Sequence, residues 1–170
     1  MKKSALLLVA FLMFLGCQKE QRYTTSSPEI DIAKEHIQSY EDGDWETWKK
    51  QYTDDSKIYH NNWDVARTST EALNGHKLII SRLSSYEYLD EPIFFEMIID
   101  DNGKKWVNFW AVWQGTLKAN NTTLKIPVHL SINYKDGKVV EEYGFWDTSK
   151  LVEAIDEIAI DGDMSSELIE

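Results

Sequence analysis

The chain has 170 residues, one cysteine and a net charge of −11. That length suits one domain, and a single cysteine leaves no internal disulfide, so the fold must rest on its hydrophobic core. The acidic balance lacks the basic patches that nucleic acid and anionic lipid surfaces require, and no nucleic-acid partner is expected. Seven Trp and eight Tyr supply either a large aromatic core or a pocket walled with rings.

The first element is a leader. Lys2 and Lys3 precede an unbroken apolar run from Ala5 to Leu15, then Gly16 and Cys17. The run has signal-peptide length and is too short for a permanent membrane span, which needs about 20 apolar residues. Phe14-Leu15-Gly16-Cys17 resembles the bacterial lipobox, with Phe14 in place of the usual Leu. The resemblance implies cleavage after Gly16 and a diacylglyceryl thioether on Cys17. Residues 1–16 are then a lipoprotein signal peptide, and the chain is expected in the bacterial cell envelope, lipid-anchored to a membrane through Cys17. The alternative for Cys17 is a free thiol, a liability in an exported chain. Residues 17–27 are polar and read as a lipidated tether.

A domain is expected over residues 28–160. Ser27-Pro28 starts a helix bearing Ile30, Ala33, Ile37 and Tyr40 on one stripe. Asp44 is an N-cap for a second helix with Trp45, Trp48 and Tyr52 on one face. A short strand is expected around Lys57–His60, a loop from Asn61 to Thr68, and a third helix bearing His76, Ile79, Ile80 and Leu83 after Asn74-Gly75. The period then becomes strand-like: Tyr88–Asp100, Lys105–Leu117, Leu124–Tyr134 and Lys138–Trp146, with hairpin signals at Asp101-Asn102-Gly103 and Asp136-Gly137. Thr148 or Ser149 caps a closing helix with Leu151, Ile155 and Ile158. Residues 161–170 are expected as an acidic tail, since no basic residue follows Lys150 while seven acidic ones do. Helices followed by a meander of long strands read as α+β, with N-terminal helices packed in a curved mixed or antiparallel sheet and a pocket between them.

The order of elements resembles the SnoaL-like branch of the nuclear transport factor 2-like superfamily. The residues that carry the resemblance are Tyr40-Glu41-Asp42-Gly43-Asp44 with Trp45 and Trp48, Gly75, Trp110–Gly115, and Asp136-Gly137-Lys138-Val139 followed by Tyr143 to Asp147. It spans about residues 30–155. It implies a cone-shaped fold whose mouth holds a small molecule, often in a homodimer. It does not imply one activity, because the superfamily holds isomerases, cyclases, dehydratases and non-catalytic binding domains.

A two-residue turn at Asp136-Gly137 sets Leu130 opposite Tyr143 and Ile126 opposite Asp147. One sheet face then carries Ile126, Val128, Leu130 and Ile132 with Glu141, Tyr143, Phe145 and Asp147. The other carries His129, Ser131 and Asn133 with Glu142 and Trp146. The first is the better candidate for the concave side. There Asp147 would have a raised pKa and serve as a general acid or base, a role the resemblance also implies for an Asp at this place. Its alternative is the N-cap of the closing helix. The resemblance allows His129 a catalytic role beside Asp147, although this register sets it on the opposite face. Trp45, Trp48, Trp110, Trp113 and Tyr143 are the expected ligand-binding wall, with plain core packing as the alternative. His60 and Asp64 fit an Asn-rich turn better than the pocket mouth. His36 lies off its helix stripe and is expected at the surface, and His76 is expected as a core or boundary residue. No spacing matches a metal site and no cofactor motif is present. The expected function is binding of a small apolar or aromatic molecule by an envelope lipoprotein. The alternative is cofactor-free acid/base catalysis of isomerase, cyclase or dehydratase type.

Overall fold

The computed structural model describes residues 21–167; Cys17 and the leader lie outside them. Each helix begins where a side chain takes an orphan backbone N–H. The Ser27 hydroxyl accepts from Ile30 N at 3.2 Å and starts α1 (Pro28–Glu41). The Asp44 carboxylate accepts from Thr47 N at 3.1 Å and starts α2 (Trp45–Lys50). Thr68 and Glu71 form a reciprocal capping box that opens α3 (Ser69–Ile80). That box lies upstream of Asn74-Gly75, so the helix runs through the pair that the sequence reading set before it.

The strands are β1 (Tyr23–Thr24), β2 (Tyr52–His60), β3 (Leu83–Tyr88), β4 (Phe94–Ile99), β5 (Lys105–Leu117), β6 (Thr123–Lys135) and β7 (Lys138–Trp146). They form one seven-stranded sheet in the order β1-β4-β5-β6-β7-β2, with β3 beside β4 on the same edge of β5. The fold is α+β and the sheet mixed, since β2 pairs with β7 in parallel. Several expectations give way here. Leu83, expected on α3, opens β3, and the strand expected over Tyr88–Asp100 is broken between Tyr88 and Phe94. Tyr52 begins a strand instead of ending α2. The segment expected as tether is docked at residues 22–24, where Arg22 O accepts from Ile99 N, Arg22 Nε donates to Ile99 O, and β1 pairs with β4.

The register of β6 on β7 decides which residues point inward. Asp136 and Gly137 adopt φ of 52° and 73°, as a tight hairpin turn requires, and Lys135 faces Lys138 as expected. Then the ladder slips: Tyr134 faces Val139 but Asn133 faces Glu141, so Val140 is an extra residue. Beyond it Ile132 faces Glu142, Leu130 faces Gly144 and Val128 faces Trp146. A one-residue slip exchanges the two faces of a strand. Glu142, Gly144 and Trp146 therefore join the buried side chains of Val128, Leu130 and Ile132, while Glu141, Tyr143 and Phe145 go to the outer face.

The core lies between the inner sheet face and the helices. Ile30, Ala33 and Ile37 of α1 and Trp48 of α2 pack with Val107, Phe109, Ala111 and Trp113 of β5 and with the inner residues of β6. The closing helix α4 (Ser149–Glu167) extends past residue 160 and buries Leu151 and Ala154. Among the described residues no helix is long and apolar enough to cross a membrane.

Gly144 sits where a methyl group has no room: a Cβ there would lie 2.5 Å from the Trp146 ring, 2.9 Å from His60 and 3.0 Å from Leu130. Gly75, inside α3, would meet only the Arg67 guanidinium at 3.9 Å. Substitution to Ala should therefore have opposite signs at the two positions. Gly144→Ala should lose about 1–3 kcal/mol through overpacking, and Gly75→Ala should gain about 0.5–1 kcal/mol through helix propensity. Urea denaturation of both variants checks this; destabilisation by Gly75→Ala, or tolerance of Gly144→Ala, would contradict the packing described.

Candidate ligand cavity

A cavity of about 80 Å³ opens between the inner sheet face, the helices and the start of α4. Ile37, Ile79, Ile126, Val128, Leu130 and Leu151 supply its aliphatic wall. Tyr40, Trp48, Tyr88, Trp113 and Trp146 supply rings. Its polar lining is Glu142, His36, His60 and His76, with Thr148 at the β7–α4 junction.

Glu142 is the centre of the polar group and retains only 3% exposure. Its Oε2 accepts from the Tyr52 hydroxyl at 2.6 Å and its Oε1 lies 2.9 Å from His60 Nε2. The Tyr52 oxygen in turn lies 3.1 Å from His36 Nε2. Burial pushes the Glu142 carboxyl up, but the hydrogen bond and charge of His60, with further help from His36 and Tyr52, outweigh it and hold the pKa down at about 2. An ionised Glu142 needs donors. His60 must therefore carry a hydrogen on Nε2, and a neutral ring then has its lone pair on Nδ1. Tyr52 gives its only hydrogen to Glu142, so His36 donates from Nε2 to the Tyr52 oxygen. Burial lowers the pKa of His36, and lowers that of His76 to about 3, so both rings are neutral near pH 7.

Of the residues expected to form the site, the structure brings Trp48 and Trp113 to the cavity. Trp113 folds back over Gly115, where a Cβ would lie 2.2 Å from its ring. Trp45 packs on Tyr40 at 6.0 Å outside the cavity, with Lys77 over its ring. Trp110 and His129 face each other across β5 and β6 on the outer face, and the Val140 bulge puts Tyr143 there too. Trp110 stacks on His129 at 3.9 Å, and Tyr143 stacks on Tyr59 at 4.8 Å while donating to Glu141. Asp147 is exposed, in a shallow surface groove with Asn61, Asn62 and Trp63. Its carboxylate accepts from Ser149 N at 2.9 Å at the start of α4. That bond holds its pKa below the usual carboxylate range, the reverse of the shift a base in an apolar cone would have.

His76 lies inside, as its place on the apolar stripe of α3 predicts, whereas His36, expected at the surface, and His60, expected in a turn, also line the cavity. His36 is three residues after Ala33 and four before Tyr40, so the stripe of α1 does include it. His60 alternates with buried Ile58 along β2. Glu142 carried no such signal, because the bulge sets its face.

No family model matches the chain, and no curated protein matches it. Solved structures do. AclR of Streptomyces galilaeus, a candidate hydroxylase, superposes with a TM-score of 0.62 at 14% identity, over 76% of this chain and 96% of that one. A candidate SnoaL-like polyketide cyclase of Shewanella denitrificans gives 0.58 at 13% identity, over 77% and 99%. A nuclear transport factor 2-like protein of Burkholderia xenovorans gives 0.57 at 20%, over 77% and 98%. The fold is the SnoaL-like, nuclear transport factor 2-like fold. At these identities the likeness is one of fold, and activity must be argued from the cavity.

The buried groups make stability depend on pH. Unfolded histidine takes a proton near 6.5, whereas folded His76 resists it to about 3. Protons therefore favour the unfolded chain, and stability contributed by the neutral ring is lost as pH falls from 6.5 toward 3. Glu142 acts the same way lower down. Its contribution, of order 3 kcal/mol for a shift from 4.5 to about 2, is present above 4.5 and lost as pH falls to 2. Denaturation midpoints should fall in two stages, below pH 6.5 and again below 4.5. His76→Phe should make the first stage shallower, His36 supplying the remainder, and leave the second.

Proposed function

We propose that the chain is an envelope lipoprotein whose SnoaL-like domain binds a small, largely apolar molecule in this cavity. The observation that carries the reading is a wall of aliphatic and aromatic side chains closing over one interconnected polar cluster. Such a pocket gains affinity from apolar burial and orientation from a few placed polar groups. The neighbouring proteins point to small molecules as well: one ketosteroid isomerase-like protein of Catenulispora acidiphila is in complex with trimethylamine.

A second reading, cofactor-free acid/base catalysis, is favoured by one arrangement. The Glu142 carboxylate holds His60 by Nε2 and directs the basic Nδ1 away from itself. A carboxylate-oriented imidazole of this kind can take a proton from a bound molecule and return it, a contribution of typically 10²–10⁴-fold in rate. His60 and Glu142 replace Asp147 and His129 as the acid/base pair. Cyclohexanone tests both readings. It should raise the thermal midpoint of the folded chain, and in D₂O its α-hydrogens should exchange faster with the chain than without. His60→Gln should abolish the acceleration and keep the thermal shift. A thermal shift with no acceleration leaves binding alone, and neither effect would count against the pocket for neutral molecules.

The leader supports anchoring through Cys17, and the outer sheet face supports homodimerisation. That face carries Phe94, Trp110, Tyr143 and Phe145, and its strands hold charges of both signs, Lys57 and Lys125 with Glu87, Glu96 and Glu141. On a chain of net charge −11, this ring-rich face of mixed charge is the surface best suited to a second copy. Mass spectrometry of membrane-extracted protein should find an N-terminal, acylated Cys17, and Cys17→Ser should be released from the membrane or stay uncleaved. Light scattering should give a dimer that Trp110→Lys converts to monomer.

A further inference from the structure

Resting on the binding reading above, we propose that the cavity takes a small organic cation, a methylated ammonium group, caged by aromatic rings beside the Glu142 carboxylate.

The rings form a continuous belt. Tyr88 and Tyr40 lie 5.8 Å apart between ring centres, Tyr40 and His76 5.3 Å, His76 and His60 5.5 Å, and His60 and Trp146 4.8 Å. Trp48 joins at 5.6 Å from His76. Successive planes are inclined by 43° to 80°, so the rings turn around a space rather than stacking on one another. The negative face of an aromatic ring attracts a cation, and quaternary ammonium groups are held by cages of such rings.

The charge balance of the cavity points the same way. The titratable groups facing Glu142 are His36, His60 and His76, with Tyr40, Tyr52, Tyr88 and, behind Tyr52, the buried phenol of Tyr134. Burial keeps the four phenols and the imidazoles of His36 and His76 uncharged near neutral pH. Among the described residues no Lys or Arg lines the space. Glu142 is the one carboxylate among the residues that line the space. A permanent cation is attracted to that carboxylate where water cannot screen it, and the net charge of −11 draws cations toward the mouth. A volume near 80 Å³ suits a trimethylammonium head better than a fused ring system.

Calorimetric titration of the full chain in detergent, with choline and with its uncharged isostere 3,3-dimethyl-1-butanol, tests the idea. The two differ only in nitrogen against carbon at the branched centre. Choline should bind at least about tenfold more tightly, and Glu142→Gln, checked for folding by its thermal midpoint, should lose the preference. Equal affinity for the two compounds would overturn the cation assignment and leave the apolar pocket standing. Failure of both to bind would also overturn it, and the cyclohexanone thermal shift then decides separately whether the pocket reading survives. The comparison on the unaltered chain stands even if the Glu142 variant does not fold.

Discussion

A carboxylate withdrawn from water must be given donors, and Glu142 takes both of its donors from β2. Tyr52 and His60 stand at opposite ends of that strand, and each reaches one oxygen of the same side chain. The arrangement ties β2 to β7 through side chains as well as through their parallel ladder. His36 extends it to α1 by way of the Tyr52 hydroxyl. An unpaired buried carboxylate would cost several kcal/mol, so these elements cannot move apart independently. The same bonds fix the imidazole of His60 in one tautomer and one orientation. Structure and chemistry thus share one set of hydrogen bonds.

The bulge at Val140 is what admits Glu142 to this position. Without the extra residue, the inner face of β7 would present Glu141, Tyr143 and Phe145, and the cavity would be filled with rings. With it, Gly144 comes inward beside Glu142. A side chain at Gly144 would occupy the space that His60 and Trp146 share. A matching irregularity in β2 lies between Tyr52 and Lys57, where Ser56 donates to Val139 O at 2.6 Å. Both departures from regular pairing fall beside the polar cluster, as bulges often do near functional sites.

The elements of the fold were legible because local signals set them. The bounds of β5 and β7, the Ser27 and Asp44 caps and the Asp136-Gly137 hairpin all follow from residues close in sequence. The candidate site was legible only in part, because it depends on long-range register. Glu142 and Tyr143 have no local feature that tells which of them points inward; the bulge three residues after the turn decides it. Trp48 and Trp113 were recoverable, since each sits on a buried stripe whatever the register of β7. His36 and His60 were also recoverable from their periodicity, but polar residues on apolar stripes were read as surface or turn. Asp147 misled for a physical reason: a carboxylate just before a helix satisfies an orphan N–H more cheaply than it enters an apolar cone.

The aromatic residues divide by how their planes meet, and the division separates the two sides of the sheet. On the outer face three pairs are nearly parallel, Tyr59 on Tyr143 at 8°, His129 on Phe145 at 12° and Phe94 on Trp110 at 19°, while Trp63 and Trp106 meet Tyr143 at 40° and 43°. Rings stacked this way use their faces on one another and offer their edges outward, which makes an apolar surface with little grip on a single small molecule. Inside the cone the rings meet at steep angles, 75° for Tyr40 on His76 and 80° for Trp48 on His76. A steep meeting leaves part of a face uncovered. The same residue types therefore build a surface suited to another flat surface on one side and a ring-walled enclosure on the other. What distinguishes the enclosure chemically is the one buried carboxylate that the bulge in β7 turns toward it.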